Sequence, residues 1–443
     1  MKNSDYGLDG FLSHLKGVFS ITVEDSRDII KAFHQEMNLG LAGMNSSLKM
    51  IPSFVGPPKG TEKGRYIVVD LGGTNIRIMS VELDGKGNID VSAVSRLVIP
   101  NEMICGTGEA LFDHIAEYIG HFFEKHHIGG QKTYDLAFTF SFPIEQHSLV
   151  SGILIGWTKN FTASGVVGKD VVAMLSEALK RKNMGFINVV ALANDTVGTL
   201  MARRYSDPSC DMGVIIGTGT NACYPEKTSR ILKYTDPGTF EEIIINMEWG
   251  GFAGLKMNIY DQALDLASGN PGMQHLEKMV SGMYLGEIAR RVIVDMITRG
   301  VLFCGSNLSA LSGEYTLRTE HLSLVAQGSD FFEEFGITDV SETDRMAISE
   351  ACRIVSTRSA RIVGVAIAAV VTWMDKSLER NHTVAIDGAL FEKYPGYSDC
   401  VADMLHELLG ERAERIRLEL VKDGSGIGSA VIGAVAASSC RHR

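Results

Sequence analysis

The chain has 443 residues, 45% of them apolar and only 10 proline, enough for sizeable cores and incompatible with global disorder. Aspartate and glutamate (53) outnumber lysine and arginine (42), and the net charge of −11 argues against a nucleic-acid-binding surface. Seven scattered cysteines without a CxxC pair disfavour a zinc site or a disulfide framework and point to a reducing compartment.

Phe11, Leu12, Leu15, Val18 and Phe19 repeat at helical spacing and predict a helix packed on the main body. Asp5 and Asp9 interrupt the N-terminal segment, so neither a secretory signal nor a transit peptide fits, and the cytoplasm is the expected compartment. Residues 1–63 read as mainly helical, closing in the turn Gly56-Pro57-Pro58-Lys59-Gly60. Tyr66–Asp70 reads as an apolar strand, Leu71–Asn75 as a Gly-Thr turn and Ile76–Met79 as the returning strand of a hairpin. The same device recurs in Gly213–Ile216, Gly217–Asn221 and Ala222–Tyr224. Aligned on Thr74-Asn75 and Thr220-Asn221, the two hairpins form a weak internal repeat, which implies two related lobes facing one cleft.

Farther along, Tyr284, Ile288, Val292 and Met296 fall every fourth residue and predict a helix, with Glu287 poised to pair Arg290 or Arg291. Met279 and Met283 read as core filler. A second long helix is expected over 346–375. Its apolar run Ile362–Met374 is closed by Arg361 and Asp375, short of the roughly 20 residues a bilayer needs, so no membrane span is expected. Val384–Asp387 reads as a strand ending at Gly388. Last comes Asp423-Gly424-Ser425-Gly426-Ile427-Gly428, a glycine-rich stretch leading into a small-residue helix over Ser429–Ala437.

Glycine turns bare their backbone N–H groups to a ligand, and three of them, at 71–75, 217–221 and 424–428, together point to a bound phosphate. No Walker A sequence exists, and Gly217-Thr218-Gly219 runs into a strand, so neither a P-loop nor a Rossmann turn fits. Asn194 and Asp195 end the apolar run Val189–Ala193. A carboxylate there can accept a hydroxyl proton, or simply cap the helix predicted over Val197–Arg204. Lys159, set between Trp157 and Phe161, can neutralise substrate charge or be an ordinary surface lysine. Glu248 and Glu277 are candidate acceptors for sugar hydroxyls.

Leu71-Gly72-Gly73-Thr74-Asn75-Ile76-Arg77, Phe138–Pro143, Trp157-Thr158-Lys159, Asn194–Thr199, Gly217–Asn221, Asn270-Pro271-Gly272 and Ser281–Glu287 occur in one order. In these segments the chain resembles the eukaryotic hexokinase family, from about residue 20 to residue 440. That resemblance implies an α/β, actin-like (ribonuclease H-like) duplicated fold with two lobes around a central cleft. It implies an N-terminal helical segment (1–63) on the large lobe, a small lobe (64–196 with the C-terminal helix 428–443) and a large lobe (197–427). By the same likeness Ser141, Thr158, Lys159, Asn194, Asp195, Asn221, Glu248, Gln274 and Glu277 fall on sugar positions. Asp70, Gly72, Gly73, Thr74, Asn75, Arg77, Thr218, Gly219, Gly424 and Ser425 fall on nucleotide positions. The implied cofactors are ATP and Mg2+, with Asp70 near the metal through water. Asp195 is implied as the catalytic base, with Lys159 and Arg77 stabilising charge.

The expected reaction is transfer of the γ-phosphoryl group of MgATP to the 6-hydroxyl of glucose and other hexoses. A glucose-selective glucokinase and a non-catalytic sugar sensor are the alternatives. An actin-like or chaperone ATPase is opposed by the sugar-type segments at 138–161 and 270–277. Three positions depart from the family pattern, Ala137, Val150 and Asn160; Asn160 replaces a glycine and is expected to alter the loop carrying Lys159.

Overall fold

In the computed structural model, residues 7–72, 75–129, 132–157, 161–234, 240–303, 311–338 and 340–440 are described. Gly73, Thr74, Thr158, Lys159 and Asn160 lie outside them. Helices α1 (Leu8–Phe19) and α2 (Val23–Leu41) come first, α2 opened by a reciprocal cap between Thr22 and Asp25. Phe11, Leu15 and Phe19 enter the largest apolar core, with Leu12 and Val18 packed against it, as the helical spacing predicts; Phe33 and Met37 of α2 join them. A two-residue strand, β1 (Ile51–Pro52), follows.

The expected first hairpin is β2 (Lys63–Leu71) and β3 (Asn75–Asp84), extended by β4 (Ile89–Val98). Helix α3 (Gly108–Lys125) crosses over to β5 (Tyr134–Phe140), which runs parallel to β2. A small ribbon, β6 (Ile144–Ser148) with β7 (Ser151–Leu154), precedes α4 (Val171–Arg181) and the parallel strand β8 (Ile187–Ala193). The sheet order is β4-β3-β2-β5-β8. Residues of β2 are buried from Tyr66 to Leu71, the continuous apolar run expected of a strand covered on both faces.

Helix α5 (Asp195–Ser206) leads into the second sheet through β9 (Cys210–Ile216), β10 (Thr220–Lys227) and β11 (Glu242–Asn246). Between β11 and the next strand lie α6 (Ile259–Ala267), α7 (His275–Val280), α8 (Leu285–Thr298) and α9 (Glu342–Met374). Glu287, fully buried on α8, pairs with both Arg290 (2.6 Å) and Arg291 (2.8 Å). Length and composition alone make α9 apolar enough to cross a membrane, and 89% of its most apolar window is buried inside the protein. Strands β12 (His382–Asp387) and β13 (Ile416–Leu420) complete the order β1-β11-β10-β9-β12-β13.

The last helix, α10 (Gly424–Cys440), starts earlier than the sequence suggested: its glycines form the first turn instead of a loop before it. It lies on β2, β5 and β8, while α5 lies on β9 and β10, and the two helices cross between the sheets. At the crossing a Cβ on Gly428 would fall 1.7 Å from the Gly198 carbonyl oxygen, so both positions require glycine. A third apolar core, with Val68, Leu200, Tyr205, Val431 and Ile432, surrounds this junction.

Candidate active site

One polar cluster is built on the β9–β10 turn and its neighbours. Asn221, on β10, donates its amide to Asn246 Oδ1 (2.7 Å) and Glu248 Oε1 (3.2 Å), and Asn246 Nδ2 also reaches Glu248 Oε1 (2.9 Å). Asn246 ends β11, and Glu248 follows two residues on, just before the turn Trp249–Gly251. Trp249 locks the cluster from beneath, its indole N–H donating to Thr220 Oγ1 at 2.9 Å. Glu277 Oε2 accepts the Thr220 backbone N–H at 3.1 Å, and a Cβ on Gly219 would meet that oxygen at 2.6 Å. Glu248 and Gln274 both hold left-handed φ angles, +54° and +55°, unusual for residues with long side chains. Gln274 Oε1 is buried without a hydrogen-bond partner.

The base candidate begins α5. Asn194, not Asp195, is the N-cap, accepting the Thr196 N–H at 2.9 Å; Asp195 occupies the first helical position, and its Oδ1 also accepts that N–H at 2.8 Å. The carboxylate is therefore half-buried at a helix N-terminus, whose dipole favours its charge. The same helix end touches the second sheet, because Cys223 Sγ lies 3.1 Å from the Thr196 carbonyl oxygen.

A second, charged cluster sits where the β2–β3 turn meets the start of α10. Asp70, at the end of β2, pairs with Arg77 on β3 at 2.6 Å, and Ser425 Oγ reaches the same carboxylate at 3.4 Å. Arg77 also pairs with Asp423, which Arg96 holds from its other side at 3.0 Å. Burial works against the Arg77 charge, yet Asp70 and Asp423 outweigh it and hold the guanidinium above its usual range. Gly72 and Asn75 lie exposed at this turn. Opposite, Gly217–Gly219 is strapped by Ser281–Met283: Gly282 N–H donates to the Gly217 carbonyl (2.8 Å) and Met283 N–H to that of Thr218 (3.1 Å). Met279 is core, as expected; Met283 is 54% exposed beside this turn, because the strap keeps its backbone, not its side chain, inward.

The structure thus brings Asn221, Glu248, Gln274 and Glu277 together around Gly219 and Gly250, and brings Asp70, Arg77 and Ser425 together at the α10 N-terminus. Ser141 ties the end of β5 to the first turn, donating its N–H to the Leu71 carbonyl at 3.1 Å. Gly424 fits tightly against Thr199 of α5. Sequence reasoning missed Asn246 and Asp423 as site residues, although both adjoin motifs it used. It also missed Asp387, the last residue of β12, where burial pushes the carboxyl up to about 6, opposed by Arg77 and reinforced by Asp423 and Asp195.

Asp387 has a measurable consequence. Its folded value lies above the ordinary carboxylate range, so above pH 6 the native state bears a buried charge that the unfolded chain carries in water. That cost reaches about 3 kcal/mol at neutral pH and disappears as pH falls below about 4. Asp387→Asn, in the nucleotide-free protein, is expected to raise the urea midpoint at pH 8 and to leave it near the native value at pH 3.5. Equal midpoints at pH 8 would show that the carboxylate is solvated.

Two family models, each described as hexokinase, match residues 12–205 and 211–435. Mouse Hexokinase-3 is 38% identical over 435 residues, which make up 94% of this chain and 46% of the relative. The chain therefore spans about half the length of that protein. Hexokinase-1 of Schizosaccharomyces pombe is 36% identical over 447 residues, 97% of this chain and 91% of the relative. The structure of Schistosoma mansoni hexokinase complexed with glucose matches with a TM-score of 0.86 at 34% identity, covering 97% of this chain and 100% of that one. The two-lobed architecture is the actin-like one, and with a match along both lobes the chain belongs to the hexokinase family.

Proposed function

We propose that the protein is an ATP-dependent hexokinase that phosphorylates the 6-hydroxyl of glucose and related hexoses. The observation that carries this reading is the placement of Asp195: its carboxylate opens α5, the helix that joins the first sheet to the strands that bear Asn221 and lead to Glu248. Asn221, Glu248, Gln274 and Glu277 offer amides and carboxylates of the kind that hold sugar hydroxyls. Asp195 takes the hydroxyl proton as the sugar oxygen bonds to the γ-phosphorus and the bond to the ADP oxygen breaks. Arg77 and the backbone amides of Thr218 and Gly219 are assigned to meet the phosphate charge, and Lys159 is assigned to the same task. Closure of the lobes would exclude water, the competing acceptor.

The donor set suits Mg2+ held chiefly by phosphate oxygens and water. Among the described residues no group of three or more His, Cys, Asp or Glu side chains is arranged to cage a metal, and we take Asp70 as the carboxylate that would accept from the ion's water. When bound, the ion would neutralise phosphate charge. We further take 64–196 with the C-terminal helix as the small lobe, 197–427 as the large lobe and 1–63 as a segment docked on the latter. The packing of α1 and α2 on α9 supports this division.

ADP formation from MgATP, measured with and without glucose, tests the reading. Strong stimulation by glucose is expected, with mannose and fructose defining the range. Glucose binding without ADP would leave a sensor, and ADP release indifferent to sugar would leave an ATPase.

A further inference from the structure

Lys278, on α7, is 1% exposed, a position that lysine occupies only when its charge is answered. Its ammonium donates to Asp265 Oδ1 at 2.6 Å and to the Asn270 carbonyl at 2.8 Å. Asp265, near the end of α6, also accepts the Gly272 backbone N–H at 2.9 Å. Burial opposes the Asp265 charge, but Lys278 and the Gly272 N–H prevail and hold the carboxyl below its usual range. One buried pair therefore grips both sides of the 268–274 connection.

The connection ends at Gln274, the residue with φ +55° and an unpartnered, buried Oε1. Left-handed backbone costs a non-glycine residue about 1 kcal/mol or more and persists only where the surroundings dictate it. Here that direction has a result. Gln274 Oε1 lies where a Cβ on Gly250 would meet it at 3.2 Å, beside Glu277 and the Asn221 cluster. A buried acceptor without a donor invites one from a ligand, and a hydroxyl supplies it. A buried ion pair gives little net stability over apolar residues of the same volume. What this pair supplies is orientation.

We propose that Lys278 is a positioning residue for the sugar: by tying Asp265 to the Asn270 carbonyl, it sets the loop and helix from which Gln274 and Glu277 reach the hexose. This rests on the hexokinase reading of the cleft. The ammonium is engaged by Asp265 and the Asn270 carbonyl, and its influence passes through the 270–274 backbone.

The test compares the native chain, Lys278→Met and Asp265→Asn/Lys278→Met for glucose affinity by calorimetry, for KM of each substrate, and for thermal midpoint. Lys278→Met leaves a buried carboxylate unanswered, and lowered stability is expected whatever the role of the lysine. The double variant removes that charge and keeps an acceptor for Gly272, so its midpoint should return close to the native one. Its glucose Kd and KM should nonetheless stay raised about tenfold or more, since small misplacements of binding groups are costly. Its KM for ATP should stay within about twofold of native. Recovery of glucose affinity along with the midpoint would reduce Lys278 to a structural role and overturn the proposal, as would equal rises in KM for both substrates. A native chain that neither binds glucose nor spends ATP on it would instead sink the hexokinase reading, an outcome visible before any variant is compared.

Discussion

Asp195→Ala is expected to lower kcat by about a thousandfold or more, with glucose still bound and the fold retained. The size follows from what the side chain would do: it accepts the proton of the attacking hydroxyl from a half-buried position at the start of α5. Without it the sugar hydroxyl must give its proton to water, and the attacking oxygen also loses the group that aligns it. The structural cost should be small, about 1 kcal/mol, because Asn194 remains as the cap and still accepts the Thr196 N–H. Asp195→Asn is the sharper companion, since it preserves shape and hydrogen bonding and removes only the base. Single-turnover measurement of ADP with saturating glucose checks both variants. An Asp195→Asn enzyme as fast as the native one would place the proton elsewhere.

This expectation separates the hexokinase reading from its rivals on physical grounds. A sensor needs Asn221, Glu248 and Gln274 to hold the sugar but has no need of a proton acceptor at the start of α5. An ATPase of the same architecture needs the glycine turns but not the Asn221–Asn246–Glu248 network, in which one glutamate oxygen accepts from two amides. Both sets of groups are present, and α5 connects them.

Much of this was legible in the sequence because its signals are local. The β2–β3 and β9–β10 hairpins announce themselves through apolar runs broken by Gly-Thr turns, and α8 through a four-residue period with Glu287 beside two arginines. What escaped depends on contacts far apart in the chain. Nothing in Gln274 or Glu248 predicts left-handed backbone, which glycine or asparagine would have signalled. Asp423 pairs with Arg77 and Arg96, more than three hundred positions earlier, through a fold no spacing rule supplies. In the sequence the glycines at 424–428 read either as a phosphate-facing turn, alongside those at 71–75 and 217–221, or as a plain helix start. In the structure Gly424 and Gly428 serve helix packing, and a residue chosen for absence of volume looks the same in sequence whether a phosphate or a backbone fills the space. The family likeness named most of the site residues that geometry then gathered, while Lys159 and Thr158 fall outside the described residues.

Gly428→Ala should be as damaging to the fold as Asp195→Ala is to the chemistry. The new Cβ would stand 1.7 Å from the Gly198 carbonyl oxygen and 2.5 Å from its carbon, and a Cβ on Gly198 would in turn stand 2.2 Å from the Ser425 oxygen. All these neighbours are backbone, so no side chain can swing aside; α5 and α10 must part. Helix α10 carries the first sheet and α5 abuts the second, so separating them shifts Ser425 and Asp70 relative to Asp195. The expected cost is about 3 kcal/mol or more in stability, together with loss of turnover at temperatures where the protein remains folded. Gly433→Ala is the internal control. It lies on the same helix, but its Cβ would meet only side-chain carbons of Tyr66 and Val190 at 3.3 Å, and the gain in helix propensity, up to about 1 kcal/mol, offsets the tighter fit. Urea unfolding of the two variants beside the native chain decides the matter. Equal midpoints for Gly428→Ala and Gly433→Ala would mean that the helices do not touch at Gly198, and that the lobes are joined by some looser contact than backbone against backbone.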